Sequence, residues 1–194
     1  NAQLVLIPGS KSTISDLEDF RSQGWDIDLQ AHVRRGGQVL GICGGYQMLG
    51  KMIHDPKGIE GPPKSISGLG LLDIETTMSE QKVLREVTAT TRDSNLKVKG
   101  YEIHIGKSAG NDLSNSWLQV NNKNVSAASR NGQIQGCYLH GIFSNDAFRS
   151  AYIAKLGAKF SNVNFEDKID KTLDLLSEHI EKYIDLDHLI KLTK

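Results

Sequence analysis

Apolar and polar positions follow two different rhythms along this chain. Leu4-Val5-Leu6-Ile7 is an unbroken apolar run stopped by Pro8-Gly9, and residues 38–42 form a second. Both predict strands buried on two faces, as in a parallel sheet. Between them the period becomes helical. Ile14, Leu17 and Phe20 fall three apart within residues 12–23, with Ser12 or Thr13 as the cap and Asp16, Glu18 and Asp19 close behind. Residues 27–35 continue through Leu29, Ala31 and Val33 to a stop at Gly36-Gly37. A further helix is predicted over residues 44–51. Strand, helix, strand, helix is the order of an α/β domain with a mainly parallel sheet.

Residues 54–68 are rich in Gly, Pro and Ser and predict a long loop of the kind that carries function. From residue 71 to 139 the pattern turns strand-like, with candidates at 71–76, 83–91, 97–105, 117–120, 125–129 and 133–139. Asn121-Asn122 and Asn131-Gly132 punctuate them, so antiparallel hairpins extending the sheet are expected. The end is helical again. Residues 146–159 carry Phe148, Ala151, Tyr152 and Leu156 on one face. Residues 166–191 carry Ile169, Leu173, Leu176, Ile180, Tyr183 and Ile184 at spacings of three and four. The expected organisation is a domain over residues 1–160 and a C-terminal amphipathic helix over 161–194 that packs on it.

Composition narrows the function classes. The 194 residues are 38% hydrophobic, enough for one core. Lys and Arg together number 23, as do Asp and Glu, so no basic excess points to nucleic acid. No apolar run is long enough for a membrane span, and no signal peptide is visible. Asn1-Ala2-Gln3 leads straight into the first strand, which reads as a piece opening inside a longer chain. Two cysteines, Cys43 and Cys137, make neither a disulfide framework nor a metal-type pair, so the reducing cytoplasm is the expected compartment.

The strongest chemical signal is Gly41-Ile42-Cys43-Gly44-Gly45, a G-x-C-x-G pattern after a buried strand and before a helix. This is a nucleophile elbow with sulfur in place of oxygen. A sharp strand-to-helix turn pushes the side chain out of the sheet, and the flanking glycines let backbone pass close by. The helix start is expected to favour the thiolate, and the Gly44 amide to face an oxyanion. His140 ends a strand and is followed by Gly141. In parallel-type sheets sites form at strand C-terminal ends, so His140 is the candidate base. Ile7-Pro8-Gly9-Ser10 leaves the neighbouring strand beside the elbow and is the candidate for the second oxyanion donor.

Gly41-Ile42-Cys43-Gly44-Gly45-Tyr46-Gln47 resembles the G-x-C-x-G-x-Q signature of class I glutamine amidotransferases. Five further stretches resemble the cobyric acid synthase group of that superfamily, which serves cobalamin biosynthesis. They are residues 6–13, 35–43, 68–72, Gly100-Tyr101-Glu102-Ile103-His104 and Tyr138-Leu139-His140-Gly141-Ile142-Phe143. The resemblance implies a flavodoxin-like mixed sheet flanked by helices, here lacking its first strand-helix unit. It implies that Cys43 attacks the glutamine side-chain amide to form a thioester, with His140 as base and acid. Gly44 with Gly9 and Ser10 would form the oxyanion hole, and Gln47 would help hold the glutamine. A separate N-terminal P-loop-like synthetase domain would use ATP and Mg²⁺ to amidate corrin carboxylates, with that domain and its corrinoid substrate as partners.

One departure from the wider superfamily is visible. Most class I enzymes place Glu two residues after the histidine, where this chain has Ile142, so a Cys-His dyad is expected, as in the cobyric acid synthase group. For Tyr101, Glu102 and His104 a place at the mouth of the site or at a domain interface is expected. No third ligand accompanies Glu102 and His104, so no metal site is expected. Cys137 reads as a structural thiol, and His32, His54, His179 and His188 are given no role. Two alternatives stay open. One is the same chemistry feeding another acceptor, as in cobyrinic acid a,c-diamide synthase or an amidotransferase acting on a cell-wall lipid. The other is a non-catalytic docking module on the same fold.

Overall fold

A computed structural model describes residues 2–158 and 164–192. In chain order the elements are β1 (Leu4–Ile7), α1 (Thr13–Ser22), α2 (Trp25–Arg34), β2 (Gln38–Ile42), α3 (Gly44–Met48), β3 (Met52–Asp55), β4 (Lys64–Ser67), β5 (Glu75–Thr91) and β6 (Lys97–Ala109). They continue as β7 (Leu118–Val120), β8 (Lys123–Asn124), β9 (Ser126–Ala128), β10 (Ile134–Cys137), β11 (Leu139–His140), α4 (Asp146–Lys155), α5 (Phe165–Glu181) and α6 (Leu186–Leu192). The chain divides into two compact units, residues 1–142 and 143–194.

Within the first unit the strands form two sheets. One runs in the order β1-β2-β10-β9. β1, β2 and β10 are parallel, with Ile7 beside Gly41 and Cys137 beside Ile42, and β9 closes that edge antiparallel. β1 is an apolar run of the sequence and β2 another, but only β2 is mostly buried; Leu6 of β1 stays 44% exposed. Ile7, Leu17, Val39, Tyr46, Leu49 and Ile134 pack into one buried cluster around them. The second sheet runs β11-β6-β5-β3-β4, with β7 joining β5 and β8 pairing with β7. Its spine is the long β5–β6 hairpin, whose register shifts between Thr77 and Lys82. Of the expected hairpins, β9–β10 extends the first sheet, and the others build the second.

Three local expectations are corrected. Residues 54–68 are not a structureless loop: their ends belong to a hairpin in which β3 and β4 pair antiparallel, from Met52 opposite Ser67 to Asp55 opposite Lys64. The turn between is held by Asp55, buried at 1%, whose carboxylate accepts from the Ile59 and Glu60 amides at 2.8 and 2.9 Å. Residues 71–76 form a strand only from Glu75 onward. The stretch predicted over 133–139 breaks at Tyr138, where the chain leaves one sheet and enters the other.

In the second unit Phe143, Phe148 and Tyr152 form an aromatic cluster, with centroids 5.4 to 5.7 Å apart. The helix expected over 166–191 is two helices, α5 and α6. Asn164 caps α5 by accepting from the Asp167 amide at 3.2 Å. Among the described residues no helix is long and apolar enough to cross a membrane.

Candidate active site

The site is assembled where the ends of β1, β2 and β11 converge. Cys43 follows β2 with φ 53° and ψ −112°, a left-handed backbone that side-chain-bearing residues rarely adopt. That strained turn is held from several sides. The Cys43 amide donates to the Cys137 carbonyl at 2.9 Å, and the Gly45 amide donates to the Pro8 carbonyl at 3.0 Å. Gly45 allows the close approach: a Cβ there would lie 2.1 Å from the Ile7 carbonyl oxygen. Gly136 does the same for the elbow helix, since a Cβ would lie 2.1 Å from the Tyr46 ring.

Cys43 and His140 are brought together at Gly9. A Cβ on Gly9 would stand 3.1 Å from His140 Cε1, 3.4 Å from Cys43 Cβ and 3.9 Å from Cys43 Sγ. Cys43 keeps 7% of its surface, beside the exposed Gly9, so it is recessed at the loop rather than sealed in the core. Its thiol donates to the Ile103 carbonyl at 3.3 Å. Burial pushes the thiol up, and the Gly44 amide, the smaller effect, pulls it down. The expectation that the helix start makes a ready thiolate is therefore only half met. α3 has five residues, and desolvation outweighs its pull. The imidazole that comes to the same point at Gly9 is that of His140.

His140 pairs with Tyr101 across the β11–β6 ladder, and the two rings stack with centroids 5.2 Å apart and planes 5° from parallel. Its Nε2 is buried and has no hydrogen-bond partner among the described residues. Ile142, buried at 1%, stands where the wider superfamily has its carboxylate.

On the other flank, a Cβ on Gly44 would lie 2.7 Å from the Ser10 amide nitrogen, so the first turn of α3 abuts the Gly9-Ser10 loop. Two backbone N–H groups of the oxyanion-hole kind are thus neighbours there. The Ser10 hydroxyl is engaged elsewhere: it donates to Asp16 and accepts from the Ser12 amide. Gln47 is 2% exposed, and its amide is bonded within the protein. It donates to the Ile105 carbonyl at 2.9 Å and the Tyr138 hydroxyl at 3.3 Å, and accepts from the Thr13 hydroxyl at 3.2 Å.

The three β6 residues separate by pleat. Tyr101 faces His140. Glu102, 4% exposed, pairs with Arg85 at 2.7 Å, and His104 stacks on Tyr138 with centroids 3.7 Å apart. Burial pulls the His104 imidazole below its ordinary range. Glu102, His104, Arg85 and Tyr138 line a groove of about 750 Å³. Among the described residues no three His, Cys, Asp or Glu side chains gather where a metal ion would fit. Cys137 is wholly buried, its thiol pushed up to about 12 by desolvation. His32, passed over in the sequence, is buried at 7% and bonds the Gln38 carbonyl at 2.9 Å. Sequence reasoning also missed the Ile103 carbonyl and Tyr138. The glycines inside β6 were the available signal, since strand glycines mark close backbone approach.

The cobyric acid synthase of Ruegeria sp. (strain TM1040) is 48% identical over 194 residues, which is 100% of this chain and 40% of the relative. That of Rhodobacter capsulatus is 50% identical over 193 residues, again 100% and 40%. The chain thus spans about 40% of the length of these relatives. A solved glutamine amidotransferase superposes with TM-score 0.56 at 18% identity, covering 79% of this chain and 78% of that one, which bears out the fold class. Residues 1–148 match the CobB/CobQ-like glutamine amidotransferase domain family, and the chain belongs to it.

Proposed function

We propose that this chain is the glutaminase portion of a cobyric acid synthase and works through a Cys43–His140 dyad. The observation that carries the reading is the convergence of Cys43 Sγ and His140 Cε1 on Gly9, both within 4 Å of one point. His140 takes the thiol proton as Cys43 Sγ bonds to the side-chain carbonyl carbon of glutamine. The Gly44 amide and an amide of the Gly9-Ser10 loop receive the oxyanion. Collapse breaks the C–N bond, and His140 returns the proton to the leaving nitrogen, which departs as ammonia. Water, deprotonated by His140, then hydrolyses the thioester to glutamate and restores the thiol.

Ammonia formed in this way passes to the part of the protein that lies outside this chain. There ATP and Mg²⁺ activate carboxylates of (adenosyl)cobyrinic acid a,c-diamide, and amidation yields cobyric acid. The names and lengths of the relatives support this assignment. No residue of this chain is assigned to ATP or Mg²⁺. The work takes place in the cytoplasm, where such thiols stay reduced.

The test uses the full-length protein with glutamine, ATP and cobyrinic acid a,c-diamide. Glutamate release and amide formation are both lost in Cys43→Ala. The same variant, supplied with ammonium salt in place of glutamine, still amidates the corrinoid. Glutamate release at the wild-type rate by Cys43→Ala would remove Cys43 from the mechanism. Amidation of some other acceptor in preference would remove the corrinoid.

A further inference from the structure

A Cys-His dyad lacking a carboxylate leaves the orientation of its imidazole to something else. Four observations converge on Tyr101. First, Tyr101 is the residue directly across the β6–β11 ladder from His140, so backbone register fixes their facing. Second, their rings lie parallel within 5° at a centroid separation of 5.2 Å, inside the range of offset aromatic stacking. Third, His140 Nε2 is buried with no partner among the described residues, and the position of the superfamily carboxylate holds Ile142. Fourth, the residue before Tyr101 is Gly100, where a Cβ would stand 2.1 Å from the His140 carbonyl oxygen and 3.1 Å from the Leu139 side chain. Any other residue would push β6 off β11 and pull the two rings apart.

We infer that Tyr101 is the positioning residue for His140, its ring face holding the imidazole plane and favouring the charged imidazolium formed when Cys43 gives up its proton. The inference rests on the dyad reading and adds to it the group that replaces the missing carboxylate. An aromatic face attracts a cation through its quadrupole. Each time Cys43 becomes a thiolate, His140 becomes such a cation beside that face. His104 lies on the opposite side of the pleat from Tyr101 and stacks on Tyr138 instead. The ring acts, and the phenol hydroxyl is dispensable.

Tyr101 is 44% exposed, so its truncation opens no core cavity and leaves the fold intact. The experiment compares Tyr101→Leu and Tyr101→Phe with wild type in the full-length protein. The readouts are glutamate release and the pH dependence of Cys43 alkylation by iodoacetamide. Leu is expected to lower kcat about five- to tenfold at unchanged KM, and to move the alkylation midpoint upward by roughly half a pH unit or more. Phe is expected to keep both near wild type. Wild-type behaviour of Tyr101→Leu overturns the inference. So does a Phe variant as impaired as Leu, because the hydroxyl would then be the acting group. Glutaminase activity persisting in Cys43→Ala would instead sink the dyad itself, so the two failures are told apart.

Discussion

Gly9→Ala separates catalysis from folding at a single methyl group. The added carbon would stand 3.1 Å from His140 Cε1 and 3.4 Å from Cys43 Cβ. Carbon atoms rest at about 3.5 to 4.0 Å, so one partner must retreat by roughly half an ångström. Cys43 is the less able to move, because its turn is bonded to Cys137 and its neighbour Gly45 to Pro8. The imidazole therefore moves, and it slides along the Tyr101 ring. A misplacement of about 1 Å at a reacting group lowers rate by about a hundredfold, so half of that corresponds to roughly tenfold in kcat. Folding has no reason to suffer. Gly9 is exposed and its φ lies outside the left-handed region, and Gly→Ala at such a site stabilises by up to about 1 kcal/mol through the unfolded chain. The assay is glutamate release across a glutamine titration, with urea unfolding of the same preparation. A wild-type kcat would refute the reasoning, as would an activity loss that merely tracks a lost folded fraction.

Two other perturbations test the supports of the site. Gln47→Leu leaves the Ile105 carbonyl and the buried Thr13 hydroxyl without their partner, which is expected to lower unfolding free energy by about 2 kcal/mol or more, read by urea midpoint. An unchanged midpoint would show that Gln47 does not tie α1 to β6. Cys137 sets an alkaline limit on stability. Its thiol is raised from 9.0 to about 12, so the folded protein keeps a proton that the unfolded chain gives up. Its contribution is whole below pH 9.0 and is eroded as pH rises towards about 12. Urea midpoints are therefore expected to fall between about pH 8 and about pH 10.5, and to fall less in Cys137→Ala.

Much of the site was legible because its constraints are local. Gly41, Gly44 and Gly45 around Cys43 announce a turn that only close backbone contact explains, and the structure supplies the contacts at Ile7, Pro8 and Ser10. The parallel strands were legible for the same reason, since β1 and β2 are continuous apolar runs. What stayed hidden depends on partners far along the chain. Nothing in the stretch from Ile134 to Leu139 marks Tyr138 as the residue where the strand changes sheets, because both sheets ask for the same residue types. The Gly- and Pro-rich composition of residues 54–68 masked a hairpin whose register comes from pairing β3 with β5 as well as β4. The motif around Gln47 points to a role at the substrate. Its bonds to Ile105 and Tyr138, 58 and 91 positions away, have no local signature.

The sheet change at Tyr138 explains why β6 matters to the proposed site. Had β10 run on without a break, His140 would have continued the strand beside β2, in the sheet that carries Cys43. The break instead hands His140 to β6, a strand of the other sheet. Three β6 residues then meet Cys43 and His140. Gly100 admits the close approach to His140, Tyr101 stacks on its ring, and the Ile103 carbonyl accepts from the Cys43 thiol. β6 is in turn held by twelve paired positions along β5. The separation of Cys43 and His140 is thus set by how the two sheets sit within one unit. Substitutions that loosen the β5–β6 hairpin should accordingly lower kcat while Cys43 and its elbow stay unchanged.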